Sequence, residues 1–346
     1  MCMIAGYTGN RRAAPVLIEM LRREEGFWAG FYTGIATIDN GKLYYRKVLG
    51  DLSELLSTTD ALDLPGNTGI IHSRTPSGGD REWSHPFVSC DEKLALVENG
   101  SKGCFDNRPI FAKVARELEE KGHRFSSKAP AAVTHYPVLA DGGCAHDCDI
   151  QCHYIEELIH QGLAPMPALE RGETDIPSED VGVMVHVDYP GKLFVARHNQ
   201  PMTFARTHTE SFIATSPSAF PTDIAYDAVE LLPAASGSMI SVGKCETKLF
   251  DNIPMSVQPI TAKVMADGYQ AVRELLQNAS EALTFNKIAE VCKTVFTGEG
   301  LKQYAPLGYA IVDAMLKSGE AELEIVRVAG MQEPLTAPSF RVRLKK

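Results

Sequence analysis

Cys2, directly behind the initiator Met1, is the residue of this chain best placed by type and position to do chemistry. A small residue at position two permits removal of the initiator Met. Removal would leave a thiol and a free α-amine on one residue. An α-amine titrates near ~7.7–8.0 and a free thiol near ~8.5, so a nucleophile and a general base would share one Cα and exchange protons near neutrality. This is a compact form of the logic by which an N-terminal amine activates a side chain. The run Cys2-Met3-Ile4-Ala5-Gly6-Tyr7 reads as a first strand that starts at the reactive residue, without the basic stretch and apolar core of a signal peptide.

The elements that must hold such a residue follow from periodicity. Residues 13–25 place Val16, Leu17, Ile18, Met20 and Leu21 on one side and Arg22, Arg23, Glu24 and Glu25 toward solvent, an amphipathic helix. Residues 33–38 and 42–48 flank Asp39-Asn40-Gly41, a hairpin signal. A strand leads into His72-Ser73-Arg74, and another, 94–98, ends at Asn99-Gly100. A helix over 110–121 closes on Gly122. Residues 181–187 and 192–196 form a second hairpin about Pro190-Gly191, and 211–215 and 237–242 are further strands. Many antiparallel strands with a few helices predict a layered α+β fold. From Pro259 the pattern changes to helices at 260–277, 285–296 and 309–317, then strands at 321–328 and 339–344, the order of a winged-helix module. Two domains are expected, 2–255 and 259–346.

Composition sets the class. With 44% hydrophobic and 23% charged residues, the 346-residue chain reads as a soluble globular protein. It contains no apolar run near the ~18–20 residues that span a bilayer. A net charge of −10 argues against nonspecific binding to nucleic acid or acidic membranes. From Pro259 onward, 11 Lys and Arg stand against 10 Asp and Glu, so DNA is not the expected partner of the C-terminal module; dimerisation or partner docking is. Eight Cys without a secretory signal suggest free thiols in a reducing, cytoplasmic compartment.

Several motifs recur in a fixed order: Cys2 to Gly6, the helix at 17–23, His72-Ser73-Arg74-Thr75-Pro76-Ser77-Gly78-Gly79, His85-Pro86, Asn99-Gly100, and Arg197-His198-Asn199-Gln200-Pro201-Met202. Together they resemble the class II glutamine amidotransferases, the N-terminal-nucleophile hydrolases, and in particular the glutaminase half of glucosamine-6-phosphate synthase. The likeness continues through Ser211-Phe212-Ile213-Ala214-Thr215-Ser216 to about residue 250. The resemblance implies a four-layer αββα fold. It implies that Cys2 attacks the side-chain amide carbonyl of glutamine, forming a γ-glutamyl thioester and ammonia, with the α-amine carrying the proton and water resolving the thioester. Asn99 and the Gly100 N–H would form the oxyanion hole, donors worth ~2.7–4 kcal/mol each in comparable enzymes. Arg74, with Thr75 and Ser77 beside it, would clamp the substrate α-carboxylate through its planar fork. The family's acid for the α-ammonium begins a helix; Lys128-Ala129-Pro130-Ala131 offers none, so the match is Asp147, with 128–146 an insertion.

Departures from the pattern bear on the substrate. The family Trp after Arg74 is Thr75, its Thr-His pair is Ser77-Gly78, its Arg-Gly-Tyr-Asp-Ser segment reads Trp28-Ala29-Gly30-Phe31-Tyr32, and the Gly after the nucleophile is Met3. The substrate is therefore glutamine or another amide or γ-glutamyl compound. A third reading is a non-catalytic regulator that binds an amino acid through Arg74 and Asp147. Residues 259–346 are too few for the synthase's isomerase domains, so ammonia would pass to a synthase on another chain or to solvent; homo-oligomers are compatible with either. The insertion gathers Cys144, His146, Cys148, Cys152 and His153 at a spacing that fits no standard zinc finger. These read as free thiols near the active-site rim, and neither a metal nor a cofactor is expected.

Overall fold

The first strand, Met3–Gly9, lies in the interior of a seven-stranded sheet, where both neighbours fix its register. The computed structural model describes residues 2–101, 108–251 and 255–345. Across the sheet the strands run Ala228–Leu231, Thr203–Arg206, Glu210–Ala214, Met3–Gly9, Thr68–Arg74, Tyr32–Asp39 and Lys42–Leu49. A six-stranded sheet runs Lys244–Leu249, Ser236–Ser241, Leu193–Arg197, Glu179–His186, Leu94–Ser101 and Phe87–Val88. Every pairing in both sheets is antiparallel. The hairpin expected at Asp39-Asn40-Gly41 is present, with positive φ at Asn40 and Gly41.

Side-chain alternation in the first strand assigns the layers. Ile4 joins Ile70, Val97, Val183, Val195 and Ile213 in an apolar layer between the two sheets. Its neighbours Met3, Ala5 and Tyr7 point the other way, into a core shared with Leu17, Ile18 and Leu21 of the helix Ala13–Glu24. On the outer face of the six-stranded sheet, Cys152, Ile155 and Leu158 of the helix Asp147–His160 and Leu169 of the helix Pro165–Asp175 cover Leu96, Met184 and Phe194. Helices thus flank two stacked sheets. No helix among the described residues is long and apolar enough to cross a membrane.

The C-terminal segment has helices Ala262–Asn278, Phe285–Thr294 and Tyr304–Ser318 and a ribbon of Ala321–Ala329 paired with Thr336–Leu344, whose far side takes the short strand Leu283–Thr284. The third helix begins earlier than its periodicity suggests, because Pro306 falls in the first turn, where a missing N–H costs nothing. Its core is continuous with that of the sheets. Phe285 stacks on Tyr309 at 3.9 Å between ring centroids, and both meet Phe27 at 5.8 Å. Gly26 must be glycine here, since a Cβ would lie 2.2 Å from the Phe340 ring. Arg327 bridges to buried Asp51 at 2.6 Å, and Gln303 accepts from Arg197 at 2.8 Å.

One buried carboxyl ties this junction to the strand that ends at Arg74. Glu25 Oε1 accepts from Ser73 Oγ at 2.8 Å, Leu52 N at 2.9 Å and Thr33 Oγ1 at 3.2 Å. Burial, with the Asp51 charge beside it, pushes its carboxyl up to about 7 from 4.5. The folded chain therefore keeps a proton that the unfolded chain loses at lower pH. That contribution is full below about pH 4.5 and is lost as the pH rises to about 7, a decline of about 3 kcal/mol. Denaturant titrations from pH 5 to 8 are expected to show this decline in the unmutated chain and its absence in Glu25→Gln, which keeps the acceptor oxygen.

Candidate active site

Antiparallel pairing brings the ends of distant strands together. Met3 is opposite Ser73, so Cys2 emerges beside Arg74, the last residue of its strand. From the second sheet, Leu94–Ser101 carries Asn99 and Gly100 to the same end. Asp147 is the first residue of the helix Asp147–His160. Cys2, Arg74, Thr75, Ser77, Gly100 and Asp147 line one cavity of about 460 Å³, large enough for an amino-acid side chain and backbone. Asn99 stands between wall residues Glu98 and Gly100 and reaches the site through Cys2.

That contact is specific. The Cys2 N–H donates to Asn99 Oδ1 at 2.7 Å, joining residues 97 positions apart. The other end of the same amide, Asn99 Nδ2, is buried without a hydrogen-bond partner among the described residues. Gly100 is required by its cross-strand neighbour: a Cβ there would lie 2.2 Å from Asp180 Cβ.

Arg74 is almost wholly buried and lies over the Tyr32 ring at 4.1 Å. Its Nε and Nη2 donate to Ser77 Oγ at 3.0 and 2.9 Å, Nη2 also to Gly78 O at 2.6 Å, and Nη1 to Trp83 O at 2.5 Å. Most of the fork is therefore spent on the loop that follows it. A bidentate clamp on a ligand carboxylate requires Ser77 and Gly78 to yield their bonds.

The two acids at the start of the Asp147 helix diverge, as residues two apart must on a helix. Asp149 turns inward, where Oδ2 accepts from Ser127 N and Oγ, both at 2.8 Å. Asp147 is left at the cavity.

Of the aromatic and imidazole wall, the sequence motifs flag His85 and His146 but give no signal for His135 and Tyr136. His135 and Tyr136, from the irregular segment 128–146, and His85 and His146 also line the cavity. The Tyr136 hydroxyl donates to Ser77 Oγ at 3.1 Å and lies 3.3 Å from His146 Nε2. The His72 and His85 rings lie 4.0 Å apart, tilted by 42°, and His85 stands 5.4 Å from His146. Burial lowers all three imidazoles, against the pull of the Glu98 carbonyl for His72, which falls to about 3. These three imidazoles are thus uncharged at neutral pH. Arg108 adds an exposed cation at the rim.

Three of the positions that depart from the resemblance, Met3, Trp28 and Ser77, pack against the C-terminal segment or residues 128–146. Met3 packs in the core that holds Tyr309, whose hydroxyl lies 3.9 Å from its sulfur. Trp28 packs edge-on against Phe285 at 5.7 Å, so the C-terminal segment covers the 28–32 run. Ser77 accepts from the Tyr136 hydroxyl of the segment 128–146. The last landmark is scaffold: Arg197 is buried away from the cavity, donating to Gln200 O at 2.5 Å and to Leu232 O, and burial lowers it to about 9.

No protein-family model matches the chain. Among curated proteins it is 30% identical over 223 residues to glutamine–fructose-6-phosphate aminotransferase [isomerizing] of Pyrococcus horikoshii, covering 64% of this chain and 33% of that protein. The protein of the same name from Mycobacterium tuberculosis is 31% identical over 227 residues, 64% of this chain and 33% of its own length. The chain thus spans about one third of the length of these relatives. Among solved structures, glutamine phosphoribosylpyrophosphate amidotransferase from B. subtilis matches with a TM-score of 0.57 at 16% identity, over 82% of this chain and 60% of that one. A structure described as the allosteric regulatory enzyme of purine biosynthesis matches with a TM-score of 0.59 at 16% identity, over 82% and 59%. At such identity these two establish a shared mixed α/β fold with antiparallel sheets, while the sequence relatives establish descent. By sequence, the chain is related over 223 residues to these glutamine–fructose-6-phosphate aminotransferases, within their glutaminase-domain region, and it shares its mixed α/β fold with a solved amidotransferase.

Proposed function

We propose that residues 2–255 form a four-layer αββα glutaminase-type domain that hydrolyses the side-chain amide of glutamine through Cys2. The bond between the Cys2 N–H and Asn99 Oδ1 carries this reading, because it sets nucleophile, amine and oxyanion donor at one point of the cavity wall. After removal of Met1, the Cys2 nitrogen takes the thiol proton as sulfur adds to the amide carbonyl. Asn99 Nδ2 and the Gly100 N–H face the charge that develops on oxygen. The amine returns the proton to the leaving ammonia, and water cleaves the γ-glutamyl thioester to glutamate. Asp147 receives the substrate α-ammonium. Arg74 receives the α-carboxylate, exchanging its bonds to Ser77 and Gly78 for the ligand, with Thr75 and Ser77 completing that end of the cavity.

Residues 259–346 follow the element order of a winged-helix module, and their balanced charge suits a protein partner rather than DNA. Ammonia is released to solvent or to a synthase on another chain, in a reducing cytoplasmic setting that keeps Cys2 a thiol. A second reading, hydrolysis of a different γ-glutamyl amide, is favoured by the Tyr136 hydroxyl on Ser77, because the insertion narrows the carboxylate end of the cavity.

Steady-state release of glutamate tests the assignment. Asn99→Ala is expected to lower kcat for glutamine about 10²–10³-fold with little change in KM, the signature of a donor used in the transition state. An unchanged kcat removes Asn99 from the oxyanion hole. Faster Cys2-dependent turnover of another γ-glutamyl amide than of glutamine selects the second reading.

A further inference from the structure

About two turns along the Asp147–His160 helix from the substrate cavity, four side chains converge that the amidase chemistry does not use. One donor atom each from Cys90, His123, His153 and Glu156 lies within 4.8 Å of every other. We propose that these four residues form a tetrahedral zinc site that locks the helix carrying Asp147 to the loops beside it.

The donor set has the chemistry of zinc: one thiolate, two imidazoles and one carboxylate. An ion ~2.0–2.1 Å from nitrogen and oxygen and ~2.3 Å from sulfur sets ligand-to-ligand separations of about 3.3–3.6 Å. Cys90 Sγ and His153 Nδ1 are 3.6 Å apart. Glu156 Oε2 is 2.9 Å from His153 Nδ1 and 3.1 Å from His123 Nδ1. A cation at the centre requires those two separations to open by only a few tenths of an ångström (~0.3 Å). Charge balances too, because one thiolate and one carboxylate neutralise a divalent ion.

The surroundings match those of a metal-bound imidazole, whose second ring nitrogen normally faces a carboxylate. His153 Nε2 lies 3.4 Å from Asp149 Oδ1, and His123 Nε2 lies 3.4 Å from Glu157 Oε2. Asp149 is itself fixed by Ser127. The Arg124 N–H points to Cys90 Sγ at 3.4 Å, and the N–H groups of Cys90 and Asp91 donate to the Glu156 carboxylate, both at 3.0 Å. The ligands are therefore oriented from outside. His123, His153 and Glu156 are buried, and Cys90 closes the exposed side.

Spacing alone hides such a site. His153 and Glu156 share a helix face three residues apart, whereas Cys90 and His123 arrive from two separate loops. Of the dense run at 144–153, only His153 takes part. Cys144 instead donates to Ala131 O at 3.1 Å, Cys148 lines the substrate cavity and Cys152 is buried in the core. With all four positions filled by protein, the ion is structural: it clips the Cys90 loop and the segment at 122–127 to the helix that positions Asp147.

The full chain, expressed with zinc and purified without chelator, tests this by metal analysis. About one zinc per chain is expected, with a content about tenfold or more lower in Cys90→Ser and His123→Ala and unchanged in Cys2→Ala. In the unmutated chain, cobalt in place of zinc is expected to give a thiolate charge-transfer band with the intense visible bands of a tetrahedral ion, whether or not the variants fold. A wild-type chain that neither retains zinc nor yields a cobalt–thiolate spectrum overturns the proposal. So does full zinc retention in a soluble Cys90→Ser chain. These readouts do not depend on amidase activity, so an inactive chain with zinc bound leaves the site standing and refutes only the catalytic reading.

Discussion

Cys2→Ala is expected to reduce glutamine hydrolysis to background, a fall of about 10⁴-fold or more in kcat. Alanine at position two still permits removal of Met1, so the α-amine, its bond to Asn99, and the cavity all persist. Only the sulfur is lost. The remaining donors can still bind glutamine, so ligand-induced stabilisation is expected to survive. This separates catalysis from a purely ligand-binding role. A regulator that uses Arg74 and Asp147 would show stabilisation by glutamine without turnover in either form, and equal turnover in both forms would exclude Cys2 as the nucleophile. Cys2→Ser tests the same step more gently, because a hydroxyl in the same place is a poorer nucleophile than a thiolate.

The second large effect lies at the junction with the C-terminal segment. Phe285 is fully buried, stacked on Tyr309 and edge-on to both Phe27 and Trp28. Phe285→Ala is expected to cost about 3–5 kcal/mol, the usual range for a buried aromatic truncated to alanine. Because Phe27, Met3 and Tyr309 belong to one continuous core, the whole chain is expected to unfold in a single transition at lower denaturant. Chemical denaturation followed by both circular dichroism and intrinsic fluorescence checks this. Two separated transitions, with the 2–255 part unaffected, would show that the C-terminal segment is an independent unit. The same junction links stability to activity: Phe27 and Trp28 follow Glu25, whose carboxyl holds Ser73 next to Arg74.

Much of the site was legible because its chemistry sits at the ends of regular strands. Cys2, Arg74 and Asn99-Gly100 are flanked by alternating runs whose pairing brings them together, whereas Asp147 was expected from the family resemblance alone, and it starts the helix beside the cavity. The structure of the segment 128–146 was not legible. Residues 128–146 have no period, yet they supply Tyr136 and His135 to the cavity. Short strands such as Thr203–Arg206 and Ala228–Leu231 were missed because four residues are too few for alternation to register. The three C-terminal helices were visible, but an apolar helix face does not announce what it will cover. Here it covers the Phe27-Trp28 segment. Cys90 and His123 escaped notice for a related reason, since ligands far apart in sequence converge only once the chain has folded.

The central claim is that Cys2, freed of Met1, carries a γ-glutamyl group during turnover. Acid quench of the protein during steady-state reaction with glutamine, followed by peptide mass spectrometry, measures this directly. The expected result is an N-terminal peptide beginning at Cys2, part of it bearing a γ-glutamyl adduct on sulfur that disappears when glutamine is exhausted. A peptide that retains Met1, or a processed Cys2 that never carries the adduct while glutamine is consumed, would contradict it.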